Sequence, residues 1–118
     1  MIFIVDDDPA VRDSLRLLLE TAGHAVEDFP SAEAFLANHA FPGHDRLIVD
    51  LYMARGLSGI ELLENLRRCG NSVPVILITG QPSAAVTARA QVSGALAVLE
   101  KPFNAAEMLR LVQDATKP

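Results

Sequence analysis

Four continuous apolar runs separated by helix-like stretches constrain this chain more than any other feature. They are Ile2-Phe3-Ile4-Val5, Leu47-Ile48-Val49, Val75-Ile76-Leu77-Ile78 and Leu96-Ala97-Val98-Leu99. A strand that alternated apolar and polar residues would have one wet face. The runs beginning at Ile2, Leu47 and Val75 are continuous rather than alternating, the signature of strands covered by helices on both faces. Strict alternation of such runs with helical segments through short loops implies a parallel sheet. Right-handed crossovers leave few ways to connect it.

The punctuation between the runs supports five strand–helix units. Strand 1 covers 2–5, and Asp8-Pro9 reads as an N-cap followed by proline at the first helical position. Val11, Ser14, Leu15, Leu18 and Leu19 recur at helical spacing, and Gly23 stands where a helix ends. His24 to Phe29 is a short second strand. Ser31 caps a second helix with Phe35 and Leu36 turned inward, and Phe41-Pro42-Gly43 breaks it. Arg46 to Asp50 is strand 3, residues 54–58 are loop, and Gly59 to Arg68 is a helix with Ile60, Leu63 and Leu66 inside. Val75 to Thr79 is strand 4, and Pro82-Ser83 opens a helix that ends near Gly94. Leu96 to Glu100 is strand 5, and Asn104 caps a last helix with Met108, Leu111 and Val112 as its apolar stripe. Residues 1–118 are read as one α/β domain. Its expected fold is a flavodoxin-like, doubly wound, five-stranded parallel sheet of order 2-1-3-4-5 with five helices.

Composition narrows the function. The net charge is −5 with no basic stretch, which lacks the electrostatic footprint of a nucleic-acid binder. The apolar runs fall far short of the roughly 20 residues that span a bilayer. No secretory signal pattern is visible, and Cys69 is the single cysteine, so a cytoplasmic location is expected. Cys69 is read as structural. His24, His39 and His44 lack metal-ligand spacing and are read as surface residues, and Arg67-Arg68 as a solvated helix end.

Order 2-1-3-4-5 places strands 1 and 3 side by side at the topological switch point, where open α/β sheets bind ligands. Asp6, Asp7 and Asp50 then share one crevice. Three adjacent carboxylates raise one another's pKa values, and a divalent cation removes the conflict. An all-oxygen site suits Mg²⁺ better than zinc. Asp50, at its strand tip, is placed to attack a phosphoryl group as a nucleophile. Thr79 offers a hydroxyl donor and Lys101 a second positive charge, which is what phosphoryl transfer chiefly needs. Asp8 is assigned to helix capping alone.

These residues, in the segments Ile4-Val5-Asp6-Asp7-Asp8, Val49-Asp50-Leu51-Tyr52-Met53, Ser58-Gly59-Ile60-Glu61-Leu62-Leu63, Ile78-Thr79-Gly80 and Glu100-Lys101-Pro102-Phe103, resemble a response-regulator receiver domain of two-component signalling. The resemblance covers essentially the whole chain and extends to receivers of LuxR-type regulators. It implies Asp50 as phosphoacceptor and Mg²⁺ held by Asp6, Asp7, Asp50 and the backbone carbonyl of Tyr52. It also implies Thr79 and the position of Val98 as the switch, Lys101 paired with the phosphoryl group, and a cis bond before Pro102. Gly80 would leave room for the donor. The implied partners are a sensor histidine kinase or phosphotransfer protein and an output domain or partner protein, with a phosphorylation-dependent homodimer as an option. Neither nucleic acid nor membrane is expected to be bound directly, and the domain would catalyse only its own phosphorylation and dephosphorylation.

Three positions depart from the family pattern. The loop Met53-Ala54-Arg55-Gly56-Leu57-Ser58 lacks the usual proline and carries one extra residue. Val98 stands where an aromatic ring commonly swings inward, so either the Thr79 shift and helix 4 carry the coupling or the domain signals weakly. Residues 83–93 have one charge, Arg89, too few for the charged pairs of a helix 4–strand 5–helix 5 dimer. Two other readings stay open: a receiver-like interaction module that is never phosphorylated, and a small aspartate-nucleophile phosphatase. The second lacks an acid two residues after Asp50, where Tyr52 stands. A stand-alone receiver and the N-terminal half of a longer regulator both fit the chain.

Overall fold

The computed structural model describes residues 1–38 and 45–114. Strand and helix alternate throughout: β1 (Ile2–Val5), α1 (Pro9–Thr21), β2 (Val26–Phe29), α2 (Ala32–Asn38), β3 (Arg46–Asp50), α3 (Gly59–Arg68), β4 (Val75–Thr79), α4 (Ala84–Val92), β5 (Ala97–Glu100) and α5 (Ala105–Asp114). The strands form one parallel sheet in the order β2-β1-β3-β4-β5. Fold class and strand order are those expected from the alternation of runs.

Period-two alternation along each strand divides the core into two layers. Phe3, Val5, Leu47, Val49, Val75 and Leu77 point to one face, where Phe35, Ile60, Leu63, Leu66 and Ala90 from α2, α3 and α4 cover them. Ile2, Ile4, Ile48, Ile76 and Ile78 point to the other, under Leu15 and Leu19 of α1 and Met108 and Val112 of α5. Every residue of β1, β3 and β4 is buried, which explains why their sequences do not alternate. On the first face, Phe3, Phe29 and Phe35 form a ring cluster with centroids 5.4 to 6.3 Å apart. Each such pair contributes about 0.5–1.5 kcal/mol beyond its buried area.

The helix ends follow the chemistry of their residues. Asp8 caps α1 by accepting from Ala10 N–H at 2.9 Å, ahead of Pro9. Gly23 closes that helix at φ +93°. Ser31 accepts from Ala34 N–H, Asn104 accepts from Glu107 N–H, and Ser58 with Glu61 forms a reciprocal capping box at α3.

Several expectations are corrected. β2 begins at Val26 rather than His24, because His24 N–H still donates to Leu19 O as part of the α1 terminus. β5 begins at Ala97 rather than Leu96. Leu36 is 39% exposed, since Ala32 and Phe35 already fill the inner face of the short α2. Leu62 is fully buried, so α3 buries a wider face than the stripe of Ile60, Leu63 and Leu66. His24 is only partly exposed, and its buried Nε2 has no hydrogen-bond partner among the described residues. Arg67 is not a solvated end: its guanidinium donates to the carbonyls of Ser93, Asn71, Val73 and Gly94. Arg68 and Cys69 are exposed. The Phe41-Pro42-Gly43 break, His39 and His44 lie outside the described residues.

Candidate functional site

The register of the sheet assembles the site. Val5 pairs with Val49, so the next residues, Asp6 and Asp50, emerge side by side. Asp50 pairs with Ile78, which brings Thr79 to the same edge. Thr79 pairs with Glu100, and the residue after it is Lys101. Each strand thus delivers its polar group at its carboxyl end. The Lys101–Pro102 bond is cis.

Asp6, Asp7 and Asp50 each offer a carboxylate oxygen within 4.8 Å of the other two. Asp6 is fully buried and Asp50 nearly so, while Asp7 is exposed. Asp6 Oδ1 accepts from Asp8 N–H at 2.9 Å, and Asp50 Oδ1 accepts from Tyr52 N–H at 3.3 Å. Asp7 Oδ2 accepts from Ala54 N–H at 2.8 Å. Lys101 Nζ lies 3.1 Å from Asp50 Oδ2 and 3.5 Å from Asp6 Oδ2. Thr79 is buried, and its Oγ1 accepts from Gln81 N–H at 3.0 Å. A Cβ on Gly80 would meet nothing within 4 Å, so the space beside Thr79 is open.

The electrostatics are unbalanced. Burial raises the Asp6 pKa, and the Asp50 charge adds to the rise; the Asp8 amide and Lys101 oppose it. Burial works against the Lys101 ammonium, but the hydrogen bond to Asp50 and the charges of Asp6 and Asp50 outweigh it, and its pKa rises. One ammonium faces three carboxylates. The donor set is all oxygen, close-set and short of positive charge, which fits a hard divalent cation of the Mg²⁺ type.

The residues singled out from the sequence therefore gather at one edge. Val98 does not join them. It pairs with Leu77 and packs, half-buried, against the layer under α3 and α4. Tyr52 sits at the rim, 46% exposed.

Three contributors were missed. Asp8 does more than cap α1, because its own N–H orients Asp6. Arg12 Nη1 donates to the Asp6 carbonyl at 2.6 Å, and its Nε is 3.9 Å from Asp28. A basic residue in the first turn of a helix that follows an acidic strand end was the available signal. Glu33 reaches the loop after β3. No local pattern points to that contact, which joins residues 24 apart.

Comparisons with known proteins agree with this fold. Residues 2–113 match the family described as the response regulator receiver domain. The chain is 36% identical over 118 residues to the transcriptional regulatory protein FixJ of Bradyrhizobium diazoefficiens, covering 98% of this chain and 56% of that protein. It is 33% identical over 117 residues to the response regulator protein TodT of Pseudomonas putida, covering 99% of this chain and 51% of that one. The chain spans about half the length of these curated relatives. Among solved structures, the crystal structure of FixJ-N superposes with a TM-score of 0.87 at 37% identity, covering 98% of this chain and 91% of that chain. The response regulator StyR gives 0.90 at 38% identity, covering 98% and 58%.

Proposed function

The chain belongs to the response regulator receiver domain family, and on that premise we propose that residues 1–118 accept a phosphoryl group on Asp50 and thereby change an output surface. The donor is a phosphohistidine on a sensor histidine kinase or phosphotransfer protein. The observation that carries this reading is the position of Asp50, with Lys101 Nζ at 3.1 Å and two further carboxylates beside it.

Asp50 supplies the attacking oxygen. As its O–P bond forms, the P–N bond of the donor breaks, and the leaving imidazole keeps the electron pair and takes a proton. Tyr52 N–H and Lys101 hold the carboxylate in place before reaction. The Thr79 Oγ1 already accepts from Gln81 N–H, which leaves its hydrogen to donate to a phosphoryl oxygen. Asp6, Asp7, Asp50 and the Tyr52 carbonyl would hold Mg²⁺, which neutralises phosphoryl oxygen charge when bound. Asp50, Thr79 and Lys101 are thus the reacting set.

The signal leaves through Thr79 and α4, since Val98 has no ring to swing. The output is a further domain or a partner protein, in keeping with the description of FixJ as a transcriptional regulatory protein, and phosphorylation can favour a homodimer. The domain works in the cytoplasm and acts on no substrate other than its own phosphoryl group. Among the described residues, no helix is long and apolar enough to cross a membrane.

The test is Mg²⁺-dependent binding of beryllofluoride, followed by amide spectra. Shifts around Asp50 and Thr79 that vanish in Asp50→Asn are expected. Unchanged spectra with both reagents present would sink the reading. A folded chain that takes no phosphate from acetyl phosphate would be an interaction module instead.

A further inference from the structure

We propose that Glu33 is a positioning residue for the cation site, acting from α2 through the loop that joins β3 to α3. This rests on the reading of Asp6, Asp7 and Asp50 as that site. Glu33 lies in the first turn of α2, yet its carboxylate turns to the loop: Oε2 accepts from Leu57 N–H at 2.8 Å. The next residue back, Gly56, has φ +73°, and a Cβ there would lie 2.5 and 2.6 Å from the two carboxylate oxygens. The carboxylate therefore packs against a backbone that only glycine leaves bare. Two residues earlier, Ala54 N–H donates to Asp7 Oδ2 at 2.8 Å.

The loop is consequently fixed at two points, with the cation site at one and Glu33 at the other. Its far end is set by the Ser58–Glu61 capping box and by Gly59 N–H on Leu51 O. Between those anchors the stretch is a turn held, among the described residues, by the Glu33 carboxylate. A loop of this length loses freedom when its ends are closed. With Glu33 in place, Ala54 N–H stays on one oxygen of Asp7 and leaves the other for a cation. Tyr52, which would offer its carbonyl, begins the same loop. Glu33 thus contributes by pre-organisation and touches neither cation nor phosphoryl group.

Calorimetric Mg²⁺ titration of the 118-residue chain tests this, together with hydrogen exchange of the Leu57 and Ala54 amides. Glu33→Ala is expected to weaken Mg²⁺ binding about fivefold and to speed exchange at both amides. Glu33→Gln keeps a side-chain carbonyl as acceptor and should bind within about twofold of wild type, since position and not charge is at stake. Wild-type Mg²⁺ affinity in Glu33→Ala would overturn the proposal. So would a Glu33→Gln chain as weak as Glu33→Ala, because the effect would then be the loss of a negative charge. A wild-type chain that binds no Mg²⁺ would overturn the reading of the site and this proposal with it. Wild-type binding with an unaffected variant would overturn the proposal alone.

Discussion

Lys101 Nζ lies 3.1 Å from Asp50 Oδ2, so the residue after β5 reaches across the end of β4 to the acid that ends β3. The contact puts a counter-charge against the proposed nucleophile before any reagent arrives. Replacing Lys101 with Met keeps the stem and removes the charge. Phosphoryl incorporation from acetyl phosphate should slow by at least about tenfold, equivalent to ~1.4 kcal/mol of barrier. Intact-protein mass spectrometry over time reads the rate. An unchanged rate would remove Lys101 from the reacting set.

Gly59 fixes how closely α3 approaches the end of β3. A Cβ there would collide with the Asp50 carbonyl oxygen and lie 2.9 Å from Leu51 Cα. Neither is the end of a flexible side chain, so helix or strand must shift. Gly59→Ala should lower the unfolding free energy by about 1–3 kcal/mol, as overpacking of a tight contact does. Urea denaturation measures it. A variant as stable as wild type would show that the contact relaxes without loss.

Two arginines tie α3 to α4, and their surroundings make them unequal. Arg89 forms a double hydrogen bond with Glu64 at 2.7 Å, but its side chain is 53% exposed. Solvent screens an exposed pair of this kind, so it adds little. Arg67 instead donates to four backbone carbonyls around the ends of α3 and α4. Arg67→Ala leaves those carbonyls to water or to nothing and should cost about 2 kcal/mol, more than Glu64→Ala costs. Urea midpoints that rank the two the other way would refute this weighting.

How far the sequence discloses the molecule depends on the range of the contact. The sheet order and the shared edge of Asp6, Asp50, Thr79 and Lys101 follow from runs that end in polar residues, because register is a local consequence of the pattern. The Asp8 and Ser58 caps are likewise local. Leu36 misled because an apolar residue on a seven-residue helix reads as core until Phe35 is known to fill that space. Arg67 misled because two of its four partners, Ser93 and Gly94, are 26 and 27 residues away. Glu33 is hidden for the same reason. Side chains that bind distant backbone leave no periodicity to detect.

His24 makes stability depend on pH. Its Nε2 is buried and has no hydrogen-bond partner among the described residues. Burial lowers its pKa first, and the positive charges of Arg46 and the N-terminal ammonium lower it further. Arg46 is itself buried and donates to Val112 O, while the ammonium is 3.7 Å from Asp45 Oδ1. Neither cation can accept a proton-bearing ring as a partner. The unfolded chain takes up a proton at this histidine near pH 6.5, whereas the folded chain resists until a lower pH. Below about pH 6.5 the unfolded state therefore binds more protons, and stability falls with pH until the depressed folded value is passed. The slope from this residue can reach at most about 1.4 kcal/mol per pH unit. The comparison is with His24→Gln, which keeps the other two histidines of the chain. Urea unfolding at pH 7.5, 6.5 and 5.5 (about one unit to either side of the free histidine) should show wild type losing stability faster than the variant on acidification. Parallel losses in the two proteins would mean that the buried imidazole is protonated in the folded state as readily as in the unfolded one.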